Sequence, residues 1–532
     1  MAVYIVRRLV AAAFILLAAS FIVYILTTFA GDPLEFTLAI TNPTQRQAVI
    51  DTVTETLSLD VPRVQRYLNW LHRLVVEQDF GLVSQTQQPI SDELARRLPT
   101  TIKLVTGATI LSIVIGISVG IITALRQYSG LDYLVTFVTF VFFSLPVFWV
   151  AVILKAWGGI NFNDWLRDGA HFSTTFIVVI ALVAALIGWS SAGGRWPRKA
   201  TFAAGAGVAM AALLAWISAN QWMLNPGFGP VIFSLISIGI TVLVIAVLVG
   251  WRSSDARNAA LVTCGIGILS YFPLQAVLNG VPITSTLLGV PVVGHSANTP
   301  APTITIWFIV LLGLIAILIG VAVGYLMGGY DRGQAARTAA ITAFLISIVM
   351  FVDQAMKSWY EYTNASVIRG RPIKTIGAST ERLEGSFWVI VDNTFSHLVL
   401  PTMALMLISL AAYTRYSRAS MLEVFNQDYI RTARAKGLTE RTVVVRHAFR
   451  NALIPLATIV AFDISGIIGG AVITERVFEW EGMGSLFIDG LQQFDPNRVM
   501  AFFVIVGGVA VVFNLLADIM YAALDPRIRV GE

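Results

Sequence analysis

Long apolar runs separated by short polar segments dominate the pattern of this chain. Two clear examples are VIFSLISIGITVLVIAVLVG at 231–250 and TITIWFIVLLGLIAILIGVAVGYLM at 303–327. A helix of about 20 apolar residues crosses the roughly 30 Å hydrocarbon layer of a membrane. A chain in lipid must pair its backbone polar groups internally, so each run is expected to be a helix. The pattern predicts an all-α polytopic membrane protein.

Counting such runs predicts about twelve membrane-spanning helices. We place them at 9–29, 102–125, 133–154, 172–189, 202–217, 231–250, 259–278, 303–327, 336–352, 397–413, 453–472 and 499–522. The first run follows Arg7 and Arg8 but is longer than the apolar core of a signal peptide, so we expect a retained first helix.

The distribution of Lys and Arg indicates the topology. The net charge is +5, and cytoplasmic loops of membrane proteins collect basic residues. Arg126, Arg252 and Arg332 fall in alternate loops, as does the cluster at 195–199, whereas the loops at 218–230 and 279–302 contain neither Lys nor Arg. We therefore expect a multi-pass protein of the plasma (inner) membrane with both termini in the cytoplasm.

The runs divide the chain into five segments. They are a first transmembrane helix (1–30), an external soluble module (31–101), two helices (102–154), a block of about six helices (155–385) and three final helices (386–532) with a cytoplasmic loop at 415–451. The external module is interpreted either as a lid that docks a partner or as a packing collar.

The loop is unusually basic for so apolar a chain. Within YIRTARAKGLTERTVVVRHAFRNALIPL at 429–456, one acid, Glu440, accompanies six basic residues: Arg431, Arg434, Lys436, Arg441, Arg446 and Arg450. Composition favours a helix over 415–436. Gly437 then suits the left-handed position that ends a helix, and Leu438 can supply the accompanying apolar contact.

Thr439 is an N-cap candidate for a second helix that reaches about 451, with Glu440 favourably placed in its first turn. The pattern predicts a helix, a glycine turn and a helix. A solvated loop that binds anionic lipid is the alternative. Lipid binding does not require such a capped hinge, so a protein socket is favoured.

This stretch resembles the EAA loop of ABC importer permeases, in the form used by the dipeptide/oligopeptide/nickel branch. Ala433 and Gly437 match the small residues of that loop, whereas Arg431 and Thr432 stand where more distant permeases have Glu and Ala. The resemblance continues in FVFFSLPVFWVAVIL, ITERVFEWEGMGSLFIDGLQQFDPNRVMA and NLLADIMYAALDPRIR. It covers the chain to about 154 and again from about 387, and it omits the block at 155–385.

The resemblance implies the permease subunit of an ATP-driven importer, most simply one for di- and oligopeptides. It implies four kinds of partner: a second homologous permease subunit, two cytoplasmic ATPase subunits, an external substrate-binding protein and membrane lipid. Nucleic acid is not expected. The implied ATPase-coupling residues lie within 428–451 and are Asp428, Tyr429, Arg431, Thr432, Ala433, Arg434, Lys436, Gly437, Leu438, Thr439 and Glu440.

The sequence contains no catalytic motif of its own. It lacks the G-x-x-x-x-G-K-S/T pattern that cradles nucleotide phosphates, and its five histidines are scattered without metal-site spacing. We expect no enzyme activity, no metal and no cofactor in this chain, with ATP and Mg bound by the partner ATPase subunits.

Polar residues in the apolar runs are candidates for the transport pathway or its gate. Asp463, Asn514 and Asp518 are costly in hydrocarbon and should face protein or water. Gly466, Gly469 and Gly470 would let neighbouring helices approach or slide. Interhelical hydrogen bonding is the alternative role for the polar residues.

Three alternatives remain beside the peptide importer. A stand-alone secondary transporter would show an internal repeat and charged midplane residues, and no repeat is evident. A lipid-modifying enzyme would need clustered acids or histidines, which do not stand out. An importer of the same family could carry nickel or sugars. The block at 155–385 is interpreted as an outer scaffold or partner-contacting belt rather than a separate transport route.

Overall fold

The computed structural model describes residues 2–251, 254–279 and 304–524. For a few of them, among them 461–470, it describes the backbone alone. Within these ranges all regular secondary structure is helical, apart from one isolated antiparallel bridge between Leu82 and Pro89. The all-α class predicted from the apolar runs is confirmed.

The described residues form twenty α-helices, which are numbered in chain order. They are α1 Ala2–Ala30, α2 Pro43–Leu57, α3 Arg63–His72, α4 Ile90–Leu125, α5 Gly130–Ser144, α6 Val147–Ile153, α7 Phe162–Arg167, α8 Thr174–Ser191, α9 Trp196–Ala219, α10 Gly229–Val244, α11 Ser254–Leu269, α12 Tyr271–Leu278, α13 Ile306–Met327, α14 Arg332–Asn364, α15 Phe387–Phe425, α16 Asp428–Ala435, α17 Glu440–Thr442, α18 Phe449–Phe478, α19 Met483–Gln492 and α20 Pro496–Leu524. π-helical segments follow α3 (Arg73–Glu77), α6 (Leu154–Asn161), α10 (Ile245–Val249) and α17 (Val443–Ala448), and a short 3-10 helix covers Glu35–Ala39.

Nine helices in the described ranges are long and apolar enough to cross a membrane, and eleven if each of two bent pairs is one span. The run predicted at 453–472 lies in α18, much of which is described by its backbone alone. The polytopic architecture is therefore confirmed, and the count of twelve stays a prediction.

The span predicted at 133–154 is not one straight helix. Helix α5 ends at Ser144, and the helix that begins at Val147 leaves it at an angle of 102°. Pro146 cannot donate a backbone hydrogen bond and disfavours helical geometry in the residue before it, and Leu145 is extended with φ −84° and ψ 130°. The Leu145-Pro146 pair therefore redirects the chain.

Helix α4 begins twelve residues before the predicted span, because Asp92 and Glu93 in its first turn complement the helix dipole. Its membrane portion packs closely on α15. A Cβ atom on Gly116 or Gly120 would collide with Tyr413 or Ser417, respectively. Small residues four apart let helix backbones approach in a membrane protein, so this glycine pair fixes how α4 lies against α15.

A buried carboxylate joins α4, α18 and α19. Glu475 is fully buried and accepts hydrogen bonds from Thr101 Oγ1 (2.5 Å) and the Gly484 backbone N–H (2.7 Å). A Cβ on Gly482 or Gly484 would collide with this carboxylate. The E-G-M-G sequence at 481–484 thus leaves space for Glu475.

An ion pair strengthens the same region. Arg498, at the start of α20, donates to Glu93 of α4 at 2.9 Å, and both side chains are buried. Arg97, one turn further along α4, reaches Asp489 of α19 at 3.1 Å. The segment at 473–498, between the apolar runs predicted at 453–472 and 499–522, is therefore folded tightly onto α4.

Helices α7 to α14 occupy the block predicted at 155–385, and a fully buried acid organises part of it. Asp353 of α14 accepts from the Phe228 backbone N–H (2.7 Å) and the Tyr271 hydroxyl (2.8 Å), and it pairs with Lys357 at 2.9 Å. These contacts join α10, α12 and α14. Trp388 of α15 donates to the Leu278 carbonyl at 2.8 Å, which attaches this group to the final helices.

Candidate functional site

The basic loop is an elbow built from α16, α17 and the start of α18. The single helix predicted over 415–436 is interrupted, because α15 ends at Phe425 and α16 begins at Asp428. Asn426 donates from its side chain to the Leu422 carbonyl at 3.1 Å, and such local side-chain bonding competes with helix propagation. The prediction missed this break.

The hinge between α16 and α17 agrees with its prediction. Gly437 has φ +75°, and its N–H donates to the Arg434 carbonyl at 2.9 Å, while the Leu438 N–H donates to the Ala433 carbonyl at 3.3 Å. These two bonds form a Schellman motif, which commonly ends a helix with a left-handed glycine. A Cβ on Gly437 would meet nothing within 4 Å, so the backbone angle, not lack of space, requires glycine.

The second arm is longer than predicted. Thr439 caps α17 by accepting from the Thr442 N–H at 3.4 Å, as predicted. The helix does not end near 451: α17, the π-helical segment Val443–Ala448 and α18 follow one another without interruption to Phe478. The second arm is therefore continuous with α18.

An ion pair bridges the hinge. Arg434 donates from Nη2 to Glu440 Oε1 at 2.7 Å and from Nε to Oε2 at 3.1 Å. The bidentate geometry fixes both orientation and distance. The Arg434 hydrogen bonds lower the pKa of Glu440 below its ordinary value. The carboxylate is therefore charged at neutral pH, and the two arms are held at one angle.

Two apolar residues anchor α16. Ile430 is fully buried, and Ala433, one turn later, is 7% exposed. They pack with Ala124 of α4 and with Val443 and Ala448 of the second arm. The Asn451 side-chain amide also donates to the Tyr429 hydroxyl at 2.8 Å. One face of α16 is thus fixed to the protein.

The opposite face of the elbow is open to solvent. Its exposed residues include most of the predicted coupling set: Asp428, Tyr429, Arg431, Thr432, Arg434, Lys436, Gly437, Leu438, Thr439 and Glu440. Arg431 lies 3.6 Å from Asp428 with both side chains largely exposed. The structure therefore brings the predicted residues together on one exposed basic surface above a buried apolar base.

The helix leading into the elbow is also fixed. Arg418 of α15 donates to both carboxylate oxygens of Asp132, at 2.7 and 2.9 Å, and Arg415 lies 3.8 Å from the centre of the Phe143 ring. Both partners belong to α5. The Ser420 hydroxyl donates to the Ala452 carbonyl of α18 at 3.0 Å. The end of α15 that leads into the elbow is thus held by contacts with α5 and α18.

One elbow contact is absent from the prediction. Arg441 in α17 donates from Nε (3.0 Å) and Nη2 (2.6 Å) to the Val247 carbonyl, in the π-helical segment after α10. The partners are 194 positions apart, and nothing in the basic pattern distinguishes Arg441 from its neighbours. The elbow therefore touches the block predicted at 155–385.

The predicted pathway residues are only partly visible. Asp518 of α20 pairs with Arg8 of α1 at 3.2 Å, and Asn514 is partly buried with no hydrogen-bond partner for its Oδ1 among the described residues. The predictions for Asp463, Gly466, Gly469 and Gly470 fall on residues whose side chains lie outside the described set. The structure shows interhelical pairing for Asp518 and leaves the pathway role a prediction.

Two family models match the chain. One, described as "Binding-protein-dependent transport system inner membrane component", matches residues 281–530, and its N-terminal companion matches residues 1–105. The first match contains the elbow, and it begins inside the block predicted at 155–385. Together the two cover about two thirds of the chain.

Curated relatives match over shorter stretches. The oligopeptide transport system permease protein OppB of Mycobacterium bovis is 44% identical over 155 residues, 29% of this chain and 48% of the relative. The oligopeptide permease AppB of Bacillus subtilis is 48% identical over 139 residues, 26% of this chain and 44% of the relative. The dipeptide permease DppB of Escherichia coli K12 is 43% identical over 137 residues, 26% of this chain and 40% of the relative. The chain thus spans less than half the length of each of these relatives.

Proposed function

The chain belongs to the family of binding-protein-dependent transport system inner membrane components, and from this premise we propose that it carries short peptides across the plasma membrane as the permease of an ABC importer. The elbow is the observation that supports this most strongly. It combines a buried apolar base with an exposed cationic face, and its second arm continues directly into α18. A loop that only orients the protein in the membrane would need none of these features.

The elbow is the proposed point of contact with a separate ATPase. The Schellman turn at Gly437 and the bidentate Arg434–Glu440 pair set a fixed angle between the arms. A rigid shape lowers the ordering cost of docking into a protein groove. When the ATPase moves, the elbow would carry that movement into α18 and so change the side on which the pathway opens.

The proposed assembly contains the expected partners: a second homologous permease subunit, two cytoplasmic ATPase subunits and an external substrate-binding protein. ATP and Mg would be bound by the ATPase subunits. This arrangement requires the elbow and both termini to lie in the cytoplasm. The folded segment 473–498 and the module at 31–101 would then face outward, where the binding protein docks.

The proposed substrate class rests on the relatives, which are named for oligopeptides and dipeptides. Asn514 is the stronger of the two described pathway candidates, since its Oδ1 lacks a partner there and the Asp518 carboxylate already pairs with Arg8. Nickel or sugar transport by the same architecture is the competing proposal. A stand-alone secondary transporter would not need the elbow.

Purification and transport test the proposal together. The chain is isolated in mild detergent from its native membrane, its companions are identified by mass spectrometry, and the assembly is reconstituted in vesicles. We expect two copies of an ATPase and a second permease, and ATP-dependent uptake of labelled peptides that unlabelled peptides inhibit and nickel does not. Peptide uptake driven by an ion gradient without ATP would contradict the proposal.

A further inference from the structure

The π-helical segment after α10 contacts the elbow through one backbone carbonyl, that of Val247. The last carbonyls of a helix lack partners within the helix and must find them elsewhere. At the end of the π-helical segment Ile245–Val249, the Val247 carbonyl accepts two hydrogen bonds from Arg441. The next carbonyl, that of Leu248, accepts from the Gln334 side chain at 3.2 Å. This helix end is therefore capped from two sides.

The residue after this helix end has the shape that the Arg441 contact needs. Gly250 has φ +75°, a left-handed conformation that glycine adopts readily. A Cβ at this position would also collide with the Arg441 guanidinium. A positive charge at a helix C-terminus interacts favourably with the helix dipole. The backbone angle of Gly250, its lack of a side chain and the helix dipole thus all favour the position that Arg441 occupies.

A second arginine makes a similar contact. Arg126, which follows α4, donates to the Ser191 carbonyl at the end of α8. Next to it, a Cβ on Gly130 would lie 3.0 Å from the Ser190 side chain, so α5 begins in close contact with the end of α8. Two helices of the block, α8 and α10, are therefore each held at their C-terminal ends by an arginine from the permease-like segments.

We propose that Arg441 is a positioning residue that ties the second arm of the elbow to the end of α10, so that the block at 155–385 braces the coupling loop. Arg441 lies in the first turn of that arm, ahead of the π-helical segment. The brace rests on the proposed coupling function. It assigns a mechanical role to the extra helices: the elbow and the end of α10 move as one body during transport.

The coupling ratio, peptide transported per ATP hydrolysed, tests this role in the reconstituted assembly. Arg441→Ala should lower the ratio about fivefold while the complex still assembles, since a net hydrogen bond contributes on the order of 1 kcal/mol. Arg441→Lys should recover part of the ratio, because an ammonium group can still donate to the Val247 carbonyl. Arg337→Ala removes the same charge from an exposed position of α14 outside the elbow and should leave the ratio unchanged.

An unchanged ratio in the Arg441→Ala assembly would overturn the brace, as would an equal loss in Arg337→Ala. If the wild-type chain assembles with no ATPase, the proposed function fails instead. Measuring the distance between the second arm and the end of α10 separates failure of the brace from failure of the proposed function. The measurement does not require transport.

Spin labels at Val247 and Val445, both exposed, report on the contact directly once the buried Cys264 has been replaced by alanine. We expect one narrow distance distribution that stays the same when nucleotide is added, and a broader one in the Arg441→Ala variant. If nucleotide changes the distance between the two labels in the wild-type chain, the elbow moves relative to α10. That result would overturn the proposal.

Discussion

Arg434 and Glu440 lie on opposite sides of Gly437, and their side chains close the hinge through two hydrogen bonds. The pair is largely exposed, so its contribution to stability is small, about 0.2–1 kcal/mol. Its importance lies in geometry, because it sets the angle at which the cationic face is presented.

We predict that Arg434→Ala and Glu440→Ala each weaken ATPase association a few-fold without changing the expression of the chain. The swapped variant, Arg434→Glu with Glu440→Arg, should restore much of the loss, since it rebuilds the bridge. Association is measured by titrating the ATPase onto the purified chain. Additive losses in the double alanine variant, with no rescue by the swap, would show that the side chains act separately.

The same pair has a defined pH dependence. The Arg434 hydrogen bonds lower the pKa of Glu440 in the folded state. The stabilisation is therefore complete above the ordinary pKa of a glutamate, and it is lost as the pH falls through the lowered value. Association should be constant around neutral pH in the wild type.

Substitution of Gly437 tests whether the left-handed backbone angle of the hinge is required for transport. Gly437→Val places a β-branched residue at φ +75° and should cost about 1–2 kcal/mol in this conformation, moving the two arms apart. Gly437→Asn is the matched control, because asparagine tolerates left-handed geometry. Transport by reconstituted assemblies should fall strongly in the first variant and little in the second. Equal activity of both would mean that the hinge angle does not matter.

Ala433 tests the buried base of the elbow. Leucine at this position must enter the cluster around Ile430 and Val443, and overpacking of this kind costs about 1–3 kcal/mol. α16 should be pushed outward and ATPase association reduced. Ala435→Leu makes the same change at an exposed position two residues later, so it should have little effect on association. A similar loss in both variants would contradict the buried anchor.

Substitution of Glu475 tests the buried cluster that joins α4, α18 and α19. Glu475→Ala leaves the buried Gly484 N–H without its acceptor, and an unsatisfied buried group costs about 1–3 kcal/mol. The thermal unfolding midpoint of the purified chain should fall clearly. Glu479→Ala removes an exposed acid one turn later and should leave the midpoint nearly unchanged. A midpoint unaffected by Glu475→Ala would exclude a structural role for this cluster.

The hinge could be predicted because its chemistry is local. Gly437, Leu438 and Thr439 adopt the turn and cap that their residue types favour. The apolar runs likewise gave the helical class, since hydrocarbon permits few other backbone arrangements. In both cases neighbouring residues alone determine the structure.

Two breaks were missed although signals were present. Pro146 after Leu145 marks the bend between α5 and α6, and hydropathy averaged over a window conceals a single proline. Asn426 and Gln427 interrupt α15 and α16 within a segment that favours helix on average. Local turn chemistry prevailed over average propensity at both sites.

Contacts between distant residues could not be predicted. The Arg441–Val247 bonds and the Arg498–Glu93 pair join positions that are 194 and 405 residues apart, respectively. They depend on how helices pack, and a basic residue has the same appearance in sequence whether it caps a distant helix or faces solvent. The structural roles of Arg441 and Glu475 therefore emerge only from the fold.

Site-specific photocrosslinking in native membranes can identify what the exposed face of the elbow contacts. A photoreactive amino acid is placed at Arg431 or Lys436 on the exposed face of the elbow, and as a control at Glu479 beyond the far end of α18. We predict that both elbow positions capture an ATPase subunit and that the position at 479 captures none. Capture of lipid alone from Arg431 and Lys436 in an assembly that transports peptide would contradict this prediction.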